Sequence, residues 1–268
     1  MVGLSVRDEA PLSLIQHRNQ ASFMLAIIGG SGLTRLSTLA VAHREVVRTP
    51  YGEPSSALLF GQIAGRDTVF LARHGHGHTI PPHRVNYRAN VWALKARGAT
   101  AILAVASVGG IRGVVPGELV LPHQLIDYSH DRQGTFFDGG DQKVVHVDFT
   151  HPYAPSMRDK CLAAALRAGI ALTDGGVYAA VSGPRLETAA EIDRLDRDGA
   201  TLVGMTGMPE AALAREQELP YVAIAVVVNH AAGRGDSANA IFMDGIAHVL
   251  ETAMDKVRAL LEHIVPLV

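Results

Sequence analysis

Two uninterrupted apolar runs constrain this chain more than any other feature. Ala101-Ile102-Leu103-Ala104-Val105-Ala106 and the stretch 222–228, Val-Ala-Ile-Ala-Val-Val-Val, show no alternation of apolar and polar residues. A strand reads that way when both its faces are covered, as in a mostly parallel sheet with helices on each side. Short apolar segments of this kind alternate with helical patterns along most of the chain, with predicted strands at 24–28, 57–63, 68–72, 100–106, 119–127, 176–182, 200–203 and 221–228. Helices are expected at 87–97, 155–168 and 188–197, each closed by a glycine, Gly98, Gly169 and Gly199. Pro209 opens another at 209–218, and Asp236 or Asp244 starts a long last helix to about Ile264. The fold class expected is α/β, a single domain with a mixed, largely parallel central sheet flanked by helices.

Composition narrows the function. Apolar residues make up 48% of the 268, enough for a sizeable core. Lysine and arginine total 24 against 26 acidic residues, so no basic surplus exists to displace counterions from a nucleic-acid backbone. Cys161 is the single cysteine, which excludes an intrachain disulfide and a multi-cysteine zinc site and fits a reducing cytoplasm. No run approaches the roughly 18 apolar residues of a membrane span. Residues 1–22 lack the apolar centre of a signal peptide and read as a loosely held extension, with Met24 as the natural start and the domain at 23–268. The longest patternless segment, 129–153, is a candidate functional or interface loop.

Six segments beside strand ends carry polar or glycine-rich character. Gly29-Gly30-Ser31-Gly32 follows a strand and can turn its N–H groups inward around an anion, or form a plain tight turn. Arg73-His74-Gly75-His76-Gly77-His78 offers an anion site on Arg73 and His74, a packing role, or a three-histidine metal site that lacks a carboxylate. Ser107, before Gly109-Gly110, suits a sugar or phosphate, or a structural turn. Glu187, in Gly183-Pro184-Arg185-Leu186-Glu187-Thr188, either caps a helix or reads a ligand N–H. Thr206, in Gly204-Met205-Thr206-Gly207-Met208-Pro209-Glu210, sits ahead of a helix N-terminus that favours an anion, with a threonine cap as the alternative. Asn229, closing the most hydrophobic strand, satisfies a turn or presents donor and acceptor to a heterocycle. Together these suit phosphate plus a neutral heterocycle.

The motifs Ile-Ile-Gly-Gly-Ser-Gly-Leu, Leu-Ala-Arg-His-Gly, Asn86-Tyr87-Arg88-Ala89-Asn90-Val91-Trp92-Ala93-Leu94 and Met-Thr-Gly-Met-Pro-Glu resemble the trimeric purine nucleoside phosphorylase / methylthioadenosine phosphorylase family, from about Met24 to the last helix. The resemblance implies a phosphorylase/hydrolase-like α/β domain, a homotrimer or dimer of trimers, no metal or organic cofactor, and inorganic phosphate as co-substrate cleaving an N-glycosidic bond. It assigns phosphate to Ser31, Arg73, His74, Ser107 and Thr206, and the ribose to Met205. His146, in the Val-Val-His-Val of the long loop, would reach the neighbouring subunit's site near the nucleoside 5′ end; an exposed loop histidine is the plainer reading.

The base and 5′ positions depart from the adenine-specific branch, which has Ser-Ser and Thr-Asp-Tyr-Asp where this chain has Leu-Glu-Thr and Val-Asn-His-Ala. Glu187 and Asn229, with Ala231 beside them, resemble the 6-oxopurine branch. Hypoxanthine offers an N1–H donor for a carboxylate and the acceptors O6 and N7 for an amide, whereas adenine places a lone pair at N1. The oxopurine enzymes carry a histidine near the 5′-hydroxyl, and Met243 or Phe242 stands at that place here. An apolar side chain there suits a methylthio group and leaves a hydroxyl unpaired. The expected nucleoside is therefore 5′-methylthioinosine, with Asn229, Glu187 and His74 as the catalytic group. The alternatives are a general inosine/guanosine phosphorylase, a methylthioadenosine phosphorylase, a non-catalytic nucleoside-binding protein, and a metal-dependent hydrolase using His74, His76 and His78.

Overall fold

The computed structural model describes residues 23–140 and 143–268. The proposed extension at 1–22 lies outside the described residues. The strand of the Gly-Gly-Ser-Gly motif, β1 (Leu25–Gly29), is followed by β2 (Ala40–Glu45), β3 (Leu58–Ile63), β4 (Arg66–Ala72) and helix α1 (Tyr87–Ala96). Then come β5 (Ala101–Gly110), β6 (Leu119–Leu121), β7 (Gln124–Asp127), α2 (Pro155–Ala168), β8 (Thr173–Asp174) and β9 (Val177–Ala180). The chain ends with α3 (Ala189–Arg197), β10 (Leu202–Gly204), α4 (Gly207–Glu216), β11 (Tyr221–His230) and α5 (Met243–Ile264).

All the described strands belong to one mixed sheet whose hub is β5. It pairs in parallel with β1 on one side and with β11 on the other, and its last residues, Gly109 and Gly110, pair antiparallel with β10. The two apolar runs are thus the central strands, and their side chains feed both faces. Leu103 and Val105 of β5 and Val222, Ile224 and Val226 of β11 point into a core shared with α2 and α5, through Met157, Cys161, Met254, Val257 and Leu261. Ile102 and Ala104 point the other way, toward Val91 and Leu94 of α1 and Leu213 and Ala214 of α4. Two packed faces leave no position for a polar residue, hence the unbroken apolar pattern.

Several boundaries differ from expectation for local reasons. The strand expected across 119–127 is two strands interrupted around Pro122, a residue with no N–H to give a ladder. The edge strand β2 escaped notice because nearly all its side chains are exposed, so burial left no pattern in Ala-Val-Ala-His-Arg-Glu. The two-residue β8 is too short to leave one. Helix α4 starts at Gly207 and stops at Glu216, two residues before the expected end, where Glu218 has turned to a φ of 55°. The last helix starts at Met243, one residue before Asp244. Helix α2 matches its expected span, and Gly169 closes it in the left-handed conformation at φ 65°.

Helix α3 bears directly on the cavity. Thr188, expected inside the helix, is its N-cap: its hydroxyl accepts from the Glu191 N–H at 3.1 Å, while the Glu191 carboxylate accepts from the Thr188 N–H at 2.8 Å. This reciprocal pair fixes the chain at Thr188 and leaves Glu187 outside the helix. Thr188→Ala is expected to cost about 1 kcal/mol of stability, within the range for losing such a cap. Thermal unfolding monitored by circular dichroism should show a loss of roughly 2–4 °C in Tm.

Candidate active site

A cavity of about 570 Å³ opens where β1, β4, β5, β10 and β11 end. One end is built on the turn after β1. Leu33 donates its N–H to the Gly30 carbonyl at 3.0 Å, closing Gly30-Ser31-Gly32-Leu33. A Cβ on Gly30 would lie 2.6 Å from the Val105 carbonyl oxygen and 2.9 Å from Nη1 of Arg73, so only glycine lets turn, strand and guanidinium come this close.

Arg73 follows β4 and is wholly buried, as is Glu210 of α4. Its Nε donates to Glu210 Oε2 at 2.7 Å, Nη2 to Oε1 at 2.8 Å, and Nη1 to the Val105 carbonyl at 3.0 Å. Tyr221, at the start of β11, donates its hydroxyl to Glu210 Oε1 at 2.9 Å. Burial alone would lower the Arg73 pKa, but the Glu210 carboxylate drives it above its already high value. Three of the five guanidinium N–H groups are spoken for, and Arg73 lines the cavity. Glu210 does not line it and stands behind the arginine. The expected cationic site is therefore a neutral ion pair that presents N–H groups.

His74 donates from Nδ1 to the Ile80 carbonyl at 2.8 Å, because a carbonyl can only accept. Burial first, and then the Arg73 charge, push its pKa down to about 4. His78, on the same loop, lies with its ring 4.8 Å from that of His74 and its Nε2 3.5 Å from the Ser31 hydroxyl. Ser107 of β5 donates to the Ser31 carbonyl at 3.4 Å. Thr206 joins them from the residue before α4, and its hydroxyl makes no capping bond to the helix. The close approach of the Thr206 segment to Tyr178 depends on glycine: a Cβ on Gly204 would meet the Tyr178 hydroxyl at 2.2 Å. Gly30, Ser31, Arg73, His74, Ser107 and Thr206 thus meet at one cavity, with an α-helix N-terminus beside them.

Glu187, Asn229, Ala231 and Met205 line the same cavity. Burial raises the Glu187 pKa above the usual carboxylate value. Asn229 reaches the wall through a bulge: β11 and β5 pair in step to Val227 and Val108, then Asn229 pairs with Gly109. The extra residue, Val228, shifts the phase of the strand, so both Val228 and Asn229 face the cavity. The Asn229 amide donates one hydrogen to the His230 carbonyl at 2.6 Å, which orients it and leaves one N–H and the carbonyl oxygen. Met205 is set by Gly183, at φ 62°, where a Cβ would lie 2.3 Å from the Met205 sulfur.

A further stretch of wall is apolar: Met243 and Ile246 and Leu250 of α5, with Ile241 just before them. Of the two residues considered for this place, Met243 lines the cavity and Phe242 does not. Ile241, Ile246 and Leu250 were not foreseen, and neither were Ile80, Pro81 and Pro82; for Ile246 and Leu250 the apolar periodicity of α5 was the available signal. Glu210 was read merely as part of a motif. His146 is exposed in the long loop and lines no part of this cavity within its own chain. His76 is also exposed and away from it. Among the described residues, no group of three or more histidine, cysteine or acidic side chains is placed to hold a metal.

Comparison with known proteins matches residues 24–266 to the model of the Phosphorylase superfamily. A probable S-methyl-5'-thioinosine phosphorylase of Pseudomonas syringae pv. tomato is 53% identical over 89% of this chain and 97% of its own length. A probable 6-oxopurine nucleoside phosphorylase of Dictyoglomus turgidum is 43% identical over 90% of each. Among solved structures, methylthioadenosine phosphorylase from Schistosoma mansoni in complex with adenine superposes with a TM-score of 0.87 at 31% identity, covering 92% of both chains.

Removing the Glu210 charge should expose the dependence of the cavity on the pair. Glu210→Gln leaves the Arg73 charge buried without its carboxylate, at a cost of about 3–5 kcal/mol. Urea unfolding should show that loss.

Proposed function

The chain belongs to the Phosphorylase superfamily, and on that premise we propose that it cleaves S-methyl-5'-thioinosine with inorganic phosphate to give hypoxanthine and 5-methylthioribose 1-phosphate. It is a nucleoside phosphorylase, a pentosyl-transferring enzyme. The observation that carries the choice of nucleoside is one cavity lined both by a carboxylate with an amide, Glu187 and Asn229, and by the apolar set Ile241, Met243, Ile246 and Leu250. The relatives named above for methylthioinosine and for 6-oxopurine nucleosides support the same reading.

In the proposed roles, Ser31, Arg73, His74, Ser107 and Thr206 hold phosphate under the sugar. Breaking the glycosidic bond builds positive charge on the C1′–O4′ system. The phosphate faces that charge, stabilises it, and attacks C1′ from the side opposite the base. Electrons leave with the purine toward N7 and O6, where the free Asn229 N–H donates. Glu187 accepts from N1–H through a carboxyl oxygen. Catalysis comes from placement and fixed dipoles, with no covalent enzyme intermediate. Met205 packs beside the ribose, and the apolar wall takes the methylthio group. No organic cofactor or metal enters the scheme.

The proposed assembly is a homotrimer or a dimer of trimers. His146 would then reach a neighbour's 5′ end, and it stands among the exposed Val144, Val145 and Val147, apolar surface suited to a subunit contact. A cytoplasmic location is proposed from the lone Cys161, whose buried thiol has its pKa pushed up to about 12. No described helix is long and apolar enough to cross a membrane. A general 6-oxopurine phosphorylase is the second reading, favoured by the Glu187 and Asn229 pair taken without the apolar wall.

Turnover of methylthioinosine, inosine and methylthioadenosine, with and without phosphate, tests the proposal. Base release should require phosphate. The kcat/KM for methylthioinosine should exceed that for inosine by about tenfold or more, and that for methylthioadenosine by roughly a hundredfold or more. Equal use of inosine would select the second reading. Asn229→Asp replaces the amide donor by an acceptor, and the preference for oxopurine over aminopurine nucleosides should narrow by about tenfold. An unchanged preference would remove Asn229 from base recognition.

A further inference from the structure

His74 has two ring nitrogens, and the fold uses one of them. Nδ1 carries a hydrogen because its partner is the Ile80 carbonyl, 2.8 Å away. Neutral imidazole then has a lone pair, not a proton, on Nε2. Nε2 has no hydrogen-bond partner among the described residues, and His74 lines the cavity beside Ser31, Arg73 and Thr206. The groups around the ring do not favour a second proton. Arg73 precedes it in the chain, His78 lies against it, and Glu210, the carboxylate that binds Arg73, is occupied by that arginine and by Tyr221. Burial and the Arg73 charge hold the ring neutral down to about pH 4.

An acceptor in an anion site is unexpected, since every oxygen of a fully deprotonated oxyanion is also an acceptor. Two facing lone pairs repel, and a buried polar atom left unpaired is costly. Hydrogenphosphate escapes this conflict because one of its oxygens carries a proton. We propose that His74 Nε2 accepts that proton in a hydrogen bond, so that the cavity is selective for protonated tetrahedral oxyanions and discriminates against sulfate. The inference rests on the phosphorolysis reading and deepens it by naming the ionic form of the co-substrate. The reaction balances on the same proton. The C1′–N9 bond breaks with its electron pair on the purine, and an unprotonated phosphate oxygen bonds to C1′. The hydrogen carried by hydrogenphosphate balances the one that the released base takes up through solvent, and His74, neutral throughout, only accepts its hydrogen bond.

Hydrogenarsenate and sulfate provide the test, because at about pH 8 both are tetrahedral dianions and only the first carries a proton. Any pull of a dianion on the imidazole is then common to both. Calorimetric titration of the protein should show sulfate binding weaker than hydrogenarsenate and hydrogenphosphate by on the order of tenfold to a hundredfold. In His74→Gln, whose amide can donate or accept, the ratio should fall to about threefold or less, whatever the change in overall affinity. Sulfate binding to the parent protein as tightly as hydrogenarsenate would overturn the proposal. So would a ratio that survives the His74→Gln substitution. Failure of phosphate-dependent base release would count against the proposed function instead, and the binding ratio would still decide the role of His74.

Discussion

The Arg73–Glu210 pair is the constraint around which the rest is arranged. Both groups are wholly buried, so each is tolerable only because of the other and because Tyr221 and the Val105 carbonyl take further valences. The pair ties the end of β4 to α4, and its neighbours add β5 and β11. Four elements, two from each half of the chain, are held at one point. Gly30 must lack a side chain because the guanidinium occupies that space. The sign of the site follows too. With Glu210 bound to it, Arg73 brings direction rather than net charge, and it stands beside a helix N-terminus and a neutral histidine.

Much of the architecture was legible from the sequence, since burial on two faces leaves its mark on composition. β5 and β11 read as continuous apolar runs because alternate side chains enter different cores, Leu103 and Val105 one and Ile102 and Ala104 the other. Helix ends were legible where a residue has only one physical use, as at Gly169. The edge strand β2 was not, because a strand with exposed side chains has no burial to record. Nor was the break at Pro122, which interrupts a run that is otherwise apolar enough for a single strand.

The cavity was legible in a different way. Each polar segment beside a strand end was ambiguous alone, and the structure brings Ser31, Arg73, His74, Ser107, Glu187, Met205, Thr206, Asn229, Ala231 and Met243 to one cavity. What escaped were relations rather than residues. Glu210 is 137 positions from Arg73, and no local pattern announces such a pairing. The bulge at Val228 is invisible in an apolar strand, yet it decides which way Asn229 faces. The alternative of Thr206 as a cap is set aside by its lack of a capping bond, and that of Glu187 as a cap by the Thr188–Glu191 pair.

Leu250 belongs to the apolar wall, and Gly32 belongs to the turn after β1. A Cβ on Gly32 would lie 2.7 Å from the Leu250 side chain, so helix and turn rest against each other with no spare layer between them. The wall proposed for the methylthio group and the turn proposed for phosphate therefore share a mechanical boundary. Neither preference is free to evolve by sliding its own segment: a lineage that reshapes one inherits a disturbance in the other.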